Sequence, residues 1–158
     1  GDNTIIGNNN MIRDSYIGEH CVTGFNTDIT RSYIGNHCWF HSNYIGDSVL
    51  EGNVSMGSGS VLANLRLDEG DIYSSVAGVK YSTHRTKLGA MIARNVRIGV
   101  NASIMPGIKI GTNSCVGAGV VLDTDLPADS FCVGTRGYTI TKNTKNISDN
   151  RAMYKAKI

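Results

Sequence analysis

His41, Asp28 and Tyr44 are residue types that move protons, and their spacing along the 158-residue chain groups them. A histidine changes charge near neutral pH, so His41 could serve as a general base toward an amine or hydroxyl. A nearby carboxylate would fix its tautomer and raise its basicity. Counted in coils of the repeat that runs through the chain, Asp28 lies one coil under Tyr44, on the corner that His41 faces. His41 directly follows Phe40, and the equivalent places below and above are Gly24 and Gly57. Two flanking glycines are expected to leave room for something other than side chains. A surface histidine beside an incidental aspartate is the other reading this spacing allows. The cysteines, Cys21, Cys38, Cys115 and Cys132, form no C-x-x-C pair, which argues against a zinc framework. They read as reduced thiols, with Cys21 and Cys38 in inward positions where packing is the better role.

The elements that position these residues come from a six-residue period. Ile92, Ile98, Ile104, Ile110, Val116 and Leu122 recur at every sixth place. Four residues after Ile92, Ile98, Ile110 and Val116 stand Val96, Ala102, Ser114 and Val120, and Gly99, Gly111 and Gly117 directly follow three of the aliphatics. Neither a helix nor an alternating strand has this period. The pattern continues less regularly toward the N-terminus through Ile6, Ile12, Ile17, Thr23, Ile29, Ile34, Phe40, Ile45, Leu50, Met56 and Leu62, with steps of five mixed among the sixes. There Cys21, Cys38, Val49, Val54 and Ser60 hold the fifth place. Three hexapeptides make one triangular coil, so the chain reads as an all-β parallel β-helix of roughly five to six coils, about 27 Å long at ~4.8 Å per coil. Its left hand is implied by the resemblance to known hexapeptide proteins. The 19 glycines, spread through the chain against 2 prolines, are expected to mark a repeated turn.

The β-helix is expected over residues 1–122, interrupted by a long inserted loop at 63–91 that has room for a small hairpin around Val76-Ala77-Gly78-Val79. Residues 123–158 read as a C-terminal tail leaving the prism through Leu126-Pro127-Ala128 and ending in a short helix capped by Ser148. The chain opens in mid-repeat, which predicts a longer protein with a further domain on the N-terminal side. A net charge of +2 gives no reason to expect nucleic acid or an anionic membrane. No apolar run approaches the roughly 20 residues of a membrane span, and the first residues are neither basic nor apolar enough for a signal peptide. A cytoplasmic protein is expected.

Four segments together resemble one family. They are His41-Ser42-Asn43-Tyr44-Ile45-Gly46-Asp47, Gly57-Ser58-Gly59-Ser60-Val61-Leu62-Ala63-Asn64, Lys87-Leu88-Gly89-Ala90, and Arg97-Ile98-Gly99-Val100-Asn101-Ala102-Ser103-Ile104-Met105-Pro106-Gly107. The family is the C-terminal domain of bifunctional GlmU-type enzymes, which join a sugar-1-phosphate nucleotidyltransferase to a glucosamine-1-phosphate N-acetyltransferase. The long insertion resembles the archaeal-type branch. The resemblance implies acetyl-CoA as cosubstrate, an amino-sugar 1-phosphate as acceptor, and a homotrimer. It makes His41 the base, Asp28 its supporting acid, and Tyr44 and Asn64 contacts to substrate or acetyl group. Arg13 matches a substrate-binding arginine, Ala118 offers a backbone amide to acetyl-CoA, and Arg136 lies beside the place of a CoA-binding arginine. Three positions depart from the bacterial pattern. Thr30 replaces a substrate-binding lysine, with Arg31 next to it as a substitute; Ser55 replaces an asparagine; Val100 replaces a serine near the thioester. Two alternatives stand beside this reading. One is a non-catalytic trimerisation or regulatory domain of a sugar-1-phosphate nucleotidyltransferase. The other is a metal enzyme similar to γ-class carbonic anhydrase, using His20, His37 and His41, although otherwise no metal is expected.

Overall fold

The computed structural model describes residues 1–135 and 139–144. Arg136 and the Ser148 helix cap lie outside the described residues. The chain forms a left-handed parallel β-helix whose three faces are parallel ladders of short strands. The first face stacks Ile5–Ile6, Val22–Thr23, Trp39, Ser55–Met56, Arg97–Ile98, Cys115–Val116 and Phe131–Cys132. The second stacks Met11–Arg13, Asp28–Thr30, Tyr44–Gly46, Val61–Leu62, Ser103–Ile104 and Val121–Leu122. The third stacks Tyr16–Ile17, Tyr33–Ile34, Val49–Leu50, Met91–Ile92 and Lys109–Ile110, with Leu126 bridging to Ile110.

Inside the prism each ladder carries one inward side chain per coil, aliphatic in most coils and Thr23 and Phe40 in two of the first face. Ile29, Ile45, Leu62, Ile104 and Leu122 form one buried column, and Ile34, Leu50, Ile92 and Ile110 another. Val96, Ala102, Ser114 and Val120 are buried at the fifth place, as the period predicts. Val49 is not. It is half exposed on the third face, and Ser48 is the buried neighbour. Ile6 and Ile12 belong to the inward columns but are exposed in the first coil, where they pack against coils on one side. The repeat also outlasts Leu122. Leu126 and Phe131–Cys132 add further rungs, so the chain follows the prism to Cys132 and not only to the expected 122.

The glycines divide between two jobs: Gly59, Gly107 and Gly119 take left-handed φ in corner turns, as their number suggests, but they are a minority of such corners. Left-handed corner residues are mostly Asn, Asp and His, among them Asn9, His20, Asn26, His37, Asn95, Asn101 and Asn113. Short polar side chains tolerate positive φ best after glycine. Several glycines instead sit where coils touch: a Cβ on Gly35 would lie 2.0 Å from the Glu51 carbonyl oxygen.

Three of the four steps of five, Ile12–Ile17, Ile29–Ile34 and Ile45–Leu50, share a local cause. On the corner between the second and third faces, Asp14, Arg31 and Asp47 each adopt positive φ and are followed by Ser15, Ser32 and Ser48. Each serine hydroxyl donates to its own coil, as Ser48 Oγ does to the Gly46 carbonyl at 2.7 Å. It also accepts the N–H of the next coil: Ser32 N to Ser15 Oγ, Ser48 N to Ser32 Oγ, Ala90 N to Ser48 Oγ. Left-handed residue plus serine turns this corner with one residue fewer than a six-residue step, and the Phe40–Ile45 corner is equally short without a left-handed residue. The same device sets Arg31 and Asp47 on consecutive rungs.

The insertion leaves the prism after Asn64 and returns at Lys87, closed by the Leu65–Lys87 bridge and by Leu88 N–H donating to the Asn64 carbonyl at 3.0 Å. It holds the expected hairpin, with strand Tyr73–Val76 antiparallel to strand Val79–Ser82 and the turn at Ala77-Gly78. Ile72 is buried beneath it, and Lys109 Nζ donates to Ser74 Oγ at 3.1 Å, tying the hairpin to the third face.

Candidate functional site

His41 stands at the corner leading into the second face, with its side chain exposed. Its backbone is clasped by Asn43, a residue that is 5% exposed. Asn43 Oδ1 accepts the His41 N–H at 2.8 Å, and Nδ2 donates to the Gly57 carbonyl at 2.9 Å and to Ser60 Oγ at 2.9 Å. Thr27, one coil below, donates its hydroxyl to the His41 carbonyl. The histidine therefore rides on a fixed backbone. Asn43 and Thr27 occupy the same column as Asn10 and Ser60. A polar residue at a place otherwise filled by Ala102 and Val120 is the sequence signal for this clasp.

The flanking glycines do not open space beside the ring. A Cβ on Gly24 would lie 2.6 Å from the His41 Cα, and one on Gly57 would meet the Val100 backbone nitrogen at 2.6 Å. Both positions are closed by stacked backbone, which is why they are glycine. Room for side chains is made at Gly46. There a Cβ would meet Asn64 Nδ2 and the Tyr44 hydroxyl, each at 2.6 Å, so those two groups share the hollow above Gly46. Gly46→Ala is therefore expected to displace both flexible tips at little cost in stability, within about 1 kcal/mol. Any acetyl transfer should fall at least about tenfold, since a displaced contact misaligns the reactants. Thermal melting and steady-state kinetics on the same preparation check both halves.

Asp28 pairs in register with Tyr44, as the coil count predicts. Its carboxylate, however, is engaged by Arg13, whose Nη2 lies 3.0 Å from Oδ1 and 3.2 Å from Oδ2. Among the described residues no hydrogen bond joins Asp28 to the His41 ring. Arg31 meets Asp47 in a two-pronged pair, Nε to Oδ1 at 2.7 Å and Nη2 to Oδ2 at 2.9 Å, and its Nη1 donates to Thr30 Oγ1 at 3.1 Å. Asn64, from the next rung, donates Nδ2 to Asp47 Oδ2. Burial pushes the Asp47 carboxyl up, but the Arg31 and Asn64 hydrogen bonds, with the charges of Arg31 and Lys87, outweigh it and hold the group below its usual range. A depressed carboxylate stabilises the fold above its unfolded pKa. That contribution is lost as pH falls through the lower folded value, so the Arg31 clamp is intact at neutral pH. Asp47 and Lys87 join this cluster although the sequence assigns neither of them a role. The signal for Asp47 is its place after Gly46 at the five-residue corner.

The remaining candidates are spread along the prism. Ala118 is exposed and packs over Gly99, on the same corner edge as His41 and Val100. Its N–H makes no hydrogen bond among the described residues. Thr30 is 1% exposed, and Ser55 faces outward on the first face, pairing with Arg97. His20 and His37 stack with ring centroids 5.1 Å apart on the corner between the third and first faces, whereas His41 stands on the next corner. The three imidazoles do not converge, and no group of three potential metal ligands occurs among the described residues. Cys21 and Cys38 are buried, and contact with Cys21 followed by burial holds the Cys38 thiol above its ordinary range, in keeping with a packing role. No helix of the described residues is long and apolar enough to cross a membrane.

Residues 89–124 match the family described as bacterial transferase hexapeptide (six repeats). This is a hexapeptide-repeat domain. The domain is 36% identical over 141 residues to the bifunctional protein GlmU of Methanococcus maripaludis, covering 89% of this chain and 30% of that protein. It is 46% identical over 66 residues to a bifunctional sugar-1-phosphate nucleotidylyltransferase/acetyltransferase of Sulfurisphaera tokodaii, covering 42% of this chain and 16% of that one. The hexapeptide-repeat domain thus spans less than a third of the length of either relative. The solved structure of an acetyltransferase candidate from Bacillus cereus shares the fold, with a TM-score of 0.54 at 19% identity over 81% of this chain and 71% of that one.

Proposed function

We propose that this domain transfers an acetyl group from acetyl-CoA to the amine of an amino-sugar 1-phosphate, with glucosamine-1-phosphate as the first candidate. The observation that carries the reading is the arrangement of the second face. His41 stands at its leading corner, Tyr44 lies across it, and the Arg31–Asp47–Asn64 cluster closes its far corner, with Lys87 beside. Ala118 lies three coils further along the His41 edge, about 14 Å at ~4.8 Å per coil. Such an edge suits an extended cosubstrate. The relatives named above for acetyltransferase activity support the reaction class.

In this reading His41 accepts a proton from the sugar amine as the nitrogen attacks the thioester carbonyl. Collapse of the tetrahedral adduct breaks the C–S bond, and the departing thiolate takes up the proton. No covalent enzyme intermediate is involved. Holding both substrates on one face supplies the entropic part of the acceleration, and Tyr44 or backbone amides meet the developing oxyanion. Arg13 serves the sugar phosphate and Ala118 and Arg136 hold acetyl-CoA, while Arg31, whose fork is taken by Asp47 and Thr30, holds Asp47 in place. Since Arg13 and Asp28 bind one another, substrate would have to compete with Asp28 for Arg13.

Three prisms packed about one axis would form the site between neighbours and bring the 63–91 insertion against an adjacent copy. Light scattering of the purified protein should then give three times the chain mass, and a monomer at micromolar concentration would count against a shared site. The reading belongs to a cytoplasmic enzyme using soluble substrates. Its direct test is thiol release from acetyl-CoA in the presence of glucosamine-1-phosphate or galactosamine-1-phosphate. Release that depends on the amino sugar supports it, and the ratio of the two rates gives the specificity. No release with either favours the non-catalytic domain.

A further inference from the structure

We propose that Asp47 is the positioning residue of this site. It fixes which end of the Asn64 amide meets the substrate. The inference rests on the acetyl-transfer reading above and concerns how the same site recognises its sugar.

The geometry makes Asp47 a hub. Its side chain is only 13% exposed and contacts two coils at once, Arg31 on the rung below and Asn64 on the rung above. An ionised carboxylate only accepts hydrogen bonds. Asn64 must therefore turn its NH₂ toward Asp47, which points Oδ1 the other way. That oxygen has no partner within the described residues, and no buried side-chain polar atom there is left unpaired, so Oδ1 faces solvent. The site thus offers an acceptor, which a sugar hydroxyl or amine N–H can satisfy and an ether or carbonyl oxygen cannot. Arg31 is committed differently. Its Nε and Nη2 are on Asp47 and its Nη1 is on Thr30, so its charge is matched and its fork is occupied.

Asp47→Asn tests this, because the isosteric amide can present either end to Asn64 and releases Arg31. The variant is expected to raise KM for the amino-sugar 1-phosphate at least about tenfold, as loss of charge-assisted hydrogen bonds does, with KM for acetyl-CoA unchanged. Asp47 acts through Asn64, so Asp47→Asn combined with Asn64→Ala should cost no more in sugar KM than Asn64→Ala alone. A merely structural aspartate would give additive losses and a rise in both KM values, and either result overturns the proposal. Asp47→Glu keeps the charge but moves the oxygens. It should show the same sugar-specific rise, and serves if Asp47→Asn melts too early to assay. The wild-type protein is measured alongside. If it acetylates and Asp47→Asn keeps the wild-type sugar KM, the positioning role fails alone; if the wild type does not acetylate, the functional reading fails and takes this inference with it.

Discussion

His41→Ala should lower kcat by roughly 10²–10⁴-fold, the contribution of a positioned base, while KM for either substrate changes little. The histidine is exposed, and its local backbone is held by Asn43 and Thr27, not by its own ring. Removing the imidazole therefore leaves the corner intact, and the melting temperature should stay close to wild type. Activity at the wild-type rate in a folded His41→Ala protein would remove the base and make the non-catalytic reading the leading one. Asp28→Asn is expected to do less. Its partner in this chain is Arg13, and an exposed pair of this kind contributes at most about 1 kcal/mol.

The residue one place earlier should behave in the opposite way. Phe40→Ala is expected to destabilise the fold by about 3–5 kcal/mol, the range for truncating a fully buried aromatic. Phe40 is 0% exposed and is the bulkiest side chain sealed in the prism. Neighbouring coils cannot close over its absence, because their spacing is fixed by ladder hydrogen bonds above and below, including Phe40 N to the Val22 carbonyl at 2.8 Å. Chemical denaturation measures this directly. A loss below about 1 kcal/mol would mean that the core relaxes far more than its stacked backbone suggests. Adjacent residues thus separate chemistry from stability: His41 should alter rate and Phe40 should alter folding.

The fold is legible because a six-residue aliphatic period leaves few options, and one run, Ile92 through Leu122, carries it without a break. The irregular half is harder to read for a physical reason. The Arg31-Ser32 and Asp47-Ser48 corners save a residue each, and that shifts the fifth place from Val49 to Ser48. The expected end of the prism falls too early because Leu126 and Cys132 lie around a proline-containing turn that interrupts the spacing. At the site, coil counting finds the Asp28–Tyr44 register, since register is a property of the backbone. It does not show that Asp28 is engaged by Arg13, or that Asp47 gathers Arg31 and Asn64. Those outcomes depend on how long side chains lean across a corner, which spacing does not encode. The glycines read as turn formers because composition counts a residue without saying whether it bends the chain or lets two strands touch.

The insertion has a consequence for how such a protein can diversify. Leu50 stays in register with Ile92, and Leu62 with Ile104, although the intervening chain departs and returns between them. The bond from Leu88 to Asn64 closes the gap, so the scaffold keeps time across the interruption. The outer tip is freer still, since nothing lies within 4 Å of where a side chain on Gly78 would begin. Lineages could lengthen, shorten or replace the tip at Ala77-Gly78 without retuning a single coil, while both roots of the graft, Asn64 and Lys87, remain planted beside Asp47. New recognition could thus be tried out at the end of the arm while the inherited chemistry stays where it is.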